Sequence, residues 1–341
     1  MSARNNVVWR CVAAVVMAIG GLAVIGAAPA AANNNGSWSV QPTGSNGVTP
    51  RDWFEYQLRP GQKITDLVSV SNLTDQDMTF ALYPADAYNT PLDGAFALNL
   101  QKDPSHDEGT WIHLGYNAYT VPAHTRADFP FEIDVPADAA PGDHAAGIVA
   151  EDTTPLPPSQ QGQGVNVQRR VGTRVYIRVE GPLQPQLSVT QVGEKHTQAL
   201  LPPFTGRGHA AIAYQITNTG NTRIDGAKAT LRIKDFMGRT LKTFPSVDLP
   251  ELLPKGSVVF SNDLSSLPII DRLNAEVTVT APGIKTVRSK SFWVIPWVYV
   301  AIVVAILLAI WLWRRRRRKQ DEPVDEKPTP DDSSNKEPAL V

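Results

Sequence analysis

The chain has 341 residues, of which 42% are hydrophobic and 19% are charged, and its formal net charge is −1. Its single cysteine, Cys11, lies in an apolar segment near the N-terminus. Once that segment is removed, the composition excludes disulfide bonds, thiolate metal sites and a cysteine nucleophile. The fold must then be held by its core alone.

Residues 1–32 predict a secretory signal peptide. Arg4 and Arg10 precede an apolar run over residues 12–25, and the small residues "GAAPAAANN" follow. A charged start, a short apolar run and an Ala-x-Ala-like exit are typical of such a peptide, with cleavage near Ala32. An uncleaved anchor is the alternative, but the apolar run is shorter than the roughly 20 residues that span a bilayer.

Period-two alternation dominates the chain that follows. In "RADFPFEIDV" the side chains of Phe129, Phe131 and Ile133 share one face, and "VQRRVGTRVYIRVEG", "AIAYQITNTG" and "AKATLRIKD" alternate in the same way. Strands that are half-buried give this pattern. Pro-Gly, Asn-Gly and Asp-Gly turns separate them at short intervals. The predicted fold class is all-β, with tandem immunoglobulin-like β-sandwich domains.

Charge and a weak internal repeat predict two domains. Residues 33–182 hold 9 basic and 18 acidic residues, a net charge of −9, whereas residues 183–291 hold 13 basic and 8 acidic residues, a net charge of +5. The segments "GQKITDLVSVSNLTDQDMTFAL" and "GHAAIAYQITNTGNTRIDGAKATL" share a strand that ends in Asn, a polar turn and a second strand. The boundary is predicted at "EGPLQPQ", where two prolines interrupt the pairing pattern.

A C-terminal transmembrane helix is predicted over residues 292–313, "FWVIPWVYVAIVVAILLAIWLW", which carry no charge. Trp293 and Trp297 lie near one end and Trp311 and Trp313 near the other, where aromatic rings favour lipid headgroups. Residues 314–341 hold an acidic, proline-rich tail that predicts disorder, after a basic membrane stop at Arg314, Arg315, Arg316, Arg317, Arg318 and Lys319. This layout predicts a single-pass plasma-membrane protein with an extracellular N-terminus and a cytoplasmic C-terminus. The basic run is expected to contact anionic membrane lipid rather than nucleic acid.

Five pieces of sequence follow one another between residues 38 and 182. They are "SVQP", "LRPGQKITDLVSVSNLTDQDMTFAL", the pair "DGAF" and "WIHL", "VPAHTRADFPFEIDVPADAAPGDHAAGIVAED" and "RVGTRVYIRVEG". In order and spacing they resemble the peptidoglycan-binding domain of the WxL-interacting protein family of Gram-positive surface proteins. The layout of signal peptide, two exported β domains, one membrane helix and a basic stop is similar to that family too.

The resemblance implies a non-enzymatic, membrane-anchored protein that contacts cell-wall peptidoglycan and holds a surface partner protein. The second domain matches the family's partner-binding domain in position and β character only. In "PGDHAAGI" Ala146 stands where the family has a glycine.

Six residues are the candidate contacts with wall polymer: Arg170, Arg174, Tyr176, Arg178, Trp111 and His144. The first four share one face of a predicted strand. Guanidinium groups bind carboxylates and phosphates in a bidentate way, and an aromatic ring can pack on an apolar sugar face. The competing interpretation is a solvent face whose arginines pair with acidic residues on a neighbouring strand.

No catalytic, metal or cofactor site is predicted. His144 and Asp143 are neighbours, so on a strand their side chains point to opposite faces and cannot act as a pair. The acidic stretch "KDPSHDEG" at residues 102–109 lacks the ligand spacing of a calcium loop, and a solvated loop is favoured. Two other functions stay open. One is a pure protein-interaction scaffold that uses a sandwich edge strand. The other is an enzyme that cleaves wall glycan, since its two carboxylates can lie far apart in sequence.

Overall fold

The computed structural model describes residues 36–44, 47–48, 51–153, 169–199 and 207–320. The predicted signal peptide and the tail beyond residue 320 lie outside these residues. The chain divides into two compact units: the first unit is Met1–Tyr88 with Phe96–Gln184, and the second unit is Asn89–Ala95 with Pro185–Val341. The predicted boundary after residue 182 lies two residues before the division at Gln184.

The first unit is a sandwich of two sheets. Its described strands are β1 (Trp38–Gly44), β2 (Gly47–Val48), β3 (Phe54–Leu58), β4 (Lys63–Asn72), β5 (Met78–Asn89), β6 (Phe96–Leu98), β7 (Ile112–Leu114), β8 (Ala118–Val121), β9 (Arg126–Asp134), β10 (Gly142–Asp152) and β11 (Arg170–Val179). A short 3-10 helix, η1 (Glu108–Trp111), precedes β7. One sheet has the order β2-β1-β4-β9-β7, and the other has the order β3-β11-β10-β5-β6, with β8 also paired to β5.

Both sheets contribute to one apolar core in this unit. Phe129, Phe131 and Ile133 of β9 are buried, as the alternation predicts. Trp38 is fully buried, with its ring centroid 5.5 Å from that of Phe80. The core therefore forms from the inward positions of strands that alternate with period two.

The second unit repeats this architecture. Its described strands are β12 (Leu187–Thr197), β13 (His209–Asn218), β14 (Lys228–Lys234), β15 (Thr240–Thr243), β16 (Val247–Asp248), β17 (Ser257–Leu264), β18 (Asp271–Ala281) and β19 (Ile284–Val294). One sheet has the order β12-β13-β17, and the other has the order β15-β14-β18-β19, with β16 also paired to β14. A single buried cluster, which includes Ile212, Tyr214, Leu231 and Val277, joins the two sheets.

The two units share one strand plan, which explains the internal repeat. β4 pairs with β9 as β13 pairs with β17, both antiparallel. β5, β10 and β11 pair in succession, as β14, β18 and β19 do. Asn72 and Asn218 end the corresponding strands β4 and β13. The prediction of tandem immunoglobulin-like β-sandwiches followed by one helix is confirmed.

The C-terminal helix, α1 (Trp297–Gln320), begins later than predicted. The expected start was residue 292, but Phe292 and Val294 are buried in the core of the sandwich while Trp293 is exposed, so these residues end β19. Within the described residues, α1 is the one helix long and apolar enough to cross a membrane. Arg314, Arg315 and Arg316 are exposed on its last turns. The side chains of Arg317, Arg318 and Lys319 lie outside the described part of the chain.

Candidate functional site

Four of the six candidate residues lie on the outward side of β11, because the residues that alternate with them are buried or packed against the sheet. We call this surface the arginine face, and it consists of Arg170, Arg174, Tyr176 and Arg178. It belongs to the sheet in which β11 lies between β3 and β10. The alternation of β11 in the sequence places these side chains together, as expected.

Strand β6 covers part of this sheet surface. Leu98 forms a small buried cluster with Tyr83 and Val149, separate from the main core. A Cβ atom at Gly172 would come within 2.8 Å of Leu98 Cδ1, and a Cβ atom at Gly147 would overlap the same side chain. Glycines at these two positions therefore let β6 approach β10 and β11 closely.

Tyr176 does not offer its ring to a ligand, contrary to the expectation that it packs on a sugar face. It is 5% exposed, because Trp53 and Phe96 pack edge-on against it at centroid distances of 6.3 and 6.1 Å. The guanidinium of Arg174 lies 4.4 Å above the Phe96 ring, and its Nη1 donates to the Tyr176 hydroxyl at 3.2 Å. The accessible ring of this cluster is Trp53, at 40% exposed.

The outer arginines have partners within the same unit. Arg178 donates a bidentate pair of hydrogen bonds to Asp143, at 2.6 and 2.8 Å, from the position directly opposite on β10. The hydrogen bond to this carboxylate raises the pKa of Arg178 above its ordinary value. Arg170 Nη1 donates to the carbonyl of Asn99 at 2.9 Å. The Arg178–Asp143 pair matches the interpretation in which arginines pair across neighbouring strands.

A groove of about 290 Å³ opens at the Arg170 end of the arginine face. It is lined by Leu100, Gln101, Lys102 and Glu151. Glu151 lies opposite Arg170 in the strand register and is 7% exposed. Its carboxylate accepts a hydrogen bond from the Tyr83 hydroxyl at 3.3 Å. The groove therefore places a carboxylate acceptor beside a lysine, which suits a ligand with hydroxyl and acidic groups.

His144 and Trp111 hold η1 against β10. His144 Nδ1 lies 2.6 Å from Glu108 Oε1, and Nε2 lies 2.8 Å from the carbonyl oxygen of Ala140. Both nitrogens face oxygen atoms that can accept a hydrogen bond, so the arrangement favours the imidazolium, in which both ring nitrogens carry protons. Burial lowers the pKa of His144, but the Glu108 carboxylate and the Ala140 carbonyl outweigh it, and the pKa lies above its ordinary value. The Trp111 ring stands 4.7 Å from the imidazole.

The acidic stretch before η1 folds around a buried carboxylate. Asp86 accepts hydrogen bonds from the backbone N–H groups of His106 at 2.7 Å, Asp107 at 3.1 Å and Gly109 at 2.6 Å. Glu108 contacts His144 instead of joining an oxygen cage. In the described ranges, no group of three or more His, Cys, Asp or Glu side chains is placed to hold a metal ion.

The six candidates thus fall into two places rather than one site. Asp143 faces outward to Arg178, whereas the neighbouring His144 faces the other way to Glu108. This arrangement agrees with the prediction that the two cannot form a pair. Trp111 and His144 stabilise the rim of the sandwich, and the arginine face lies on the opposite side of the same sheet.

An exposed aromatic surface of the first unit was missed by the sequence analysis. Tyr116 and Tyr119 are 49% and 43% exposed, and both rest edge-on against the buried ring of Phe129, at 5.8 and 5.3 Å. We call Tyr116 and Tyr119 the tyrosine pair. The only local signal is two tyrosines three residues apart in "GYNAYT". Their common support comes from another strand, which the local sequence does not reveal.

Comparisons with known proteins give distant structural likeness. No family model matches the chain, and no curated protein matches it. The class 5 fimbrial chaperone CfaA aligns with TM-score 0.35 at 12% identity, over 74% of this chain and 98% of that chain. The CsuC–CsuE chaperone–adhesin complex of Acinetobacter baumannii gives TM-score 0.34 at 10% identity, over 74% and 97%. The SafA pilin with the SafB chaperone of Salmonella enterica gives TM-score 0.33 at 10% identity, over 76% and 97%.

The fold and these surfaces define a class of protein: two immunoglobulin-like β-sandwiches followed by an apolar helix that is long enough to cross a membrane.

Proposed function

We propose that this protein is an extracytoplasmic binding protein, anchored in the plasma membrane by α1, which contacts cell-wall peptidoglycan and holds a surface partner protein. The junction of β19 with α1, which Ile295 and Pro296 alone separate, is the observation that supports the anchoring. A sandwich tethered so closely stays at the membrane surface. The basic residues after the apolar stretch favour a cytoplasmic C-terminus. The resemblance of residues 38–182 to WxL-interacting proteins supports the wall contact.

The first unit offers three features that suit a wall polymer: the tyrosine pair, Trp53 and the groove beside Glu151. The tyrosine pair and Trp53 present ring faces on which apolar sugar faces can pack. Lys102 in the groove beside Glu151 suits the carboxylates of peptide stems. Peptidoglycan carries both apolar sugar faces and peptide-stem carboxylates. We choose the tyrosine pair as the residues to test.

The test is co-sedimentation of the full chain, in detergent, with isolated insoluble cell wall at low and moderate salt. We expect Tyr116→Ala/Tyr119→Ala to weaken wall affinity by at least about thirtyfold, because interface aromatics often contribute more than about 1 kcal/mol each and about 1.4 kcal/mol is tenfold in affinity. Tyr88→Ala is the matched control, since Tyr88 is also a half-exposed tyrosine of the first unit, at 42%.

Wall stripped of its covalently attached anionic polymers separates the two possible ligands. Binding that persists on stripped wall supports peptidoglycan itself. Absence of the wild-type chain from the pellet at both salt concentrations contradicts the wall contact. Equal pelleting of the wild type and the double variant contradicts the role of the tyrosine pair in that contact.

A second candidate function, strand capture from a partner protein, is favoured by the edge of β17. Its counterpart β9 in the first unit has β4 on one side and β7 on the other. Among the described residues, β17 has β13 on one side and no strand on the other. An eight-residue edge such as this one can receive an extended segment from another protein.

Photo-crosslinking in intact cells tests strand capture. A photoreactive residue at Ser261, exposed on β17, is expected to give one dominant protein adduct. The same residue at Lys285, exposed near the turn between β18 and β19, is the control. Equal adduct patterns from both positions, or no adduct from Ser261, would contradict strand capture by β17. Wall contact would then stand without it.

A further inference from the structure

Large apolar side chains are exposed together at one end of the second sandwich. Phe236 and Met237, at the turn between β14 and β15, are 71% and 64% exposed. Ile270, just before β18, is 65% exposed, and Trp293, near the end of β19, is 59% exposed. We call these four residues the apolar end. Soluble surfaces rarely group such side chains unless the surface has an occupant.

The backbone brings these residues together. Asp271 Oδ1 accepts a hydrogen bond from the backbone N–H of Phe236 at 3.3 Å, which joins the turn to the start of β18. Arg272 lies opposite Trp293 in the register of β18 and β19. A groove of about 400 Å³ runs between them and is lined by Phe236, Ile270, Asp271, Arg272 and Trp293. The cluster is therefore a continuous surface.

The chain places this surface at the start of α1. β19 ends at Val294 and α1 begins at Trp297. Three Cα–Cα steps cover at most about 10 Å, so the end of β19 lies within that distance of the first helical residue. Trp297 is itself 69% exposed, as suits an aromatic residue at the lipid headgroups. A helix that crosses the membrane carries the apolar end to the bilayer surface.

We infer that the apolar end docks on the outer leaflet of the bilayer, with Phe236, Met237, Ile270 and Trp293 at the boundary between headgroups and acyl chains. This inference rests on the proposed membrane anchoring of α1. Arg272, exposed beside Trp293, faces the lipid phosphates. A protein partner between the apolar end and the bilayer fits less well. One layer of helix or sheet is about 10 Å thick, which equals the whole reach of the chain from Val294 to Trp297.

Depth-dependent fluorescence quenching in nanodiscs tests the inference. The full chain carries Cys11→Ser and one introduced cysteine labelled with an environment-sensitive dye. The positions are Met237→Cys at the apolar end, Leu307→Cys within α1, and Lys285→Cys at the start of β19. β19 runs eleven residues, or roughly 33 Å, so Lys285 lies far from the apolar end. Lipids with a shallow nitroxide quench labels near the headgroups, and iodide quenches labels in water.

We expect the shallow nitroxide to quench position 237 at least about threefold more than position 285, with the reverse order for iodide. Phe236→Ser/Ile270→Ser should restore iodide access at 237 without changing the signal at 307.

Equal iodide quenching at 237 and 285, with 307 protected, contradicts the inference and leaves the anchoring intact. Exposure of 307 to iodide contradicts the anchoring itself. Protection of 237 that depends on the number of chains per disc, without nitroxide quenching, assigns the surface to a second copy of the chain and also contradicts lipid docking.

Discussion

Asn72 and Asn218 play the same role in the two sandwiches. Both are buried where a strand leads into a polar turn, and each side chain ties that turn to a distant loop. Asn72 Nδ2 donates to the carbonyls of Gln76 at 2.7 Å and Val121 at 3.0 Å, and Asn218 Nδ2 donates to those of Thr222 at 2.7 Å and Leu252 at 3.0 Å. Each Oδ1 accepts a backbone N–H two residues on, at 3.0 Å. The asparagine that the sequence repeats therefore fixes the same kind of turn in both sandwiches, and we call this set of hydrogen bonds the turn lock.

Replacing either asparagine with alanine should destabilise its own sandwich by about 2–3 kcal/mol, because buried backbone groups lose their partners. Asn72→Ala should act on the first unit and Asn218→Ala on the second. Pulse proteolysis of the full chain in detergent, with each unit followed by its fragments, measures both. Asn117→Ala, at an exposed position, should change stability by less than about 0.5 kcal/mol. A loss below about 0.5 kcal/mol in either Asn variant would contradict the turn lock.

The imidazolium of His144 predicts a pH dependence for the first unit. Burial lowers its folded pKa, but the hydrogen bonds with Glu108 and with the Ala140 carbonyl outweigh burial and raise that pKa above the ordinary value. Its stabilising effect is therefore complete below the unfolded pKa of about 6.5 and is lost as pH rises through the folded pKa. The stability advantage of wild type over His144→Gln should shrink as the pH rises above about 6.5 and through the raised folded pKa of His144.

Pulse proteolysis across this pH range measures that advantage, and titrations common to both chains cancel in the difference. Glu108→Gln keeps an oxygen near Nδ1 but removes the charge, so it should flatten the pH dependence. An advantage that is constant or grows with pH would contradict the assignment of an imidazolium.

For single residues, the sequence predicted the strand face that a side chain occupies better than it predicted how exposed that side chain is. Alternation correctly placed Asp143 and His144 on opposite faces and grouped Arg170 with Arg178. It did not reveal that Tyr176 is covered, because Trp53 and Phe96 come from distant parts of the chain. Burial of an outward residue depends on which loop crosses the sheet, and period two carries no information on that.

At the scale of elements, the contact of β6 with β10 and β11 depends on missing Cβ atoms. A Cβ atom at Gly172 would meet chiefly Leu98, whereas one at Gly147 would also lie 2.8 Å from the backbone oxygen of Thr173. The two glycines therefore differ in whether a flexible side chain or the backbone stands in the way. Only the first obstacle can be removed by truncating Leu98.

A pair of double-variant cycles tests this difference. Gly172→Ala and Gly147→Ala should each cost about 1–3 kcal/mol through overpacking. Leu98→Ala should offset most of the cost at Gly172 and little of the cost at Gly147. Gly193→Ala is the control, since its nearest neighbouring atom lies 3.9 Å from the added Cβ. Equal rescue at both glycines, measured by pulse proteolysis, would contradict the proposed packing.

The start of α1 shows how two periodicities compete in one apolar run. From residue 292 onward, composition alone satisfied the requirement for a membrane helix. Phe292 and Val294 alternate with exposed Trp293, however, and β19 pairs with β18 up to Val294. Pro296 lies directly before α1, and its carbonyl accepts the first helical hydrogen bond, from Val300 N–H at 3.3 Å. Hydrophobic composition over a window of residues cannot distinguish the end of a strand from the start of a membrane helix. The alternation of buried and exposed side chains at residues 292–294 can.

At the scale of the whole molecule, the internal repeat predicted two sandwiches because each repeat supplies one complete strand plan. The segment Asn89–Ala95 had no such signal, although it is part of the second unit. Asn89 Nδ2 donates to the carbonyl of Glu251 at 2.7 Å, and its Oδ1 accepts from Leu253 N–H at 2.9 Å. These partners lie more than 160 residues away, beyond the reach of local patterns.

The proposed function requires that α1 holds both sandwiches outside the cell, and cysteine accessibility in intact cells measures this arrangement. In a Cys11→Ser chain, Lys285→Cys on the second sandwich and Thr329→Cys in the tail are each exposed to a membrane-impermeant maleimide. We expect labelling at position 285 in intact cells and labelling at position 329 only after the membrane is permeabilised. Labelling at 329 in intact cells, or protection at 285 until permeabilisation, would contradict this orientation of the protein in the membrane.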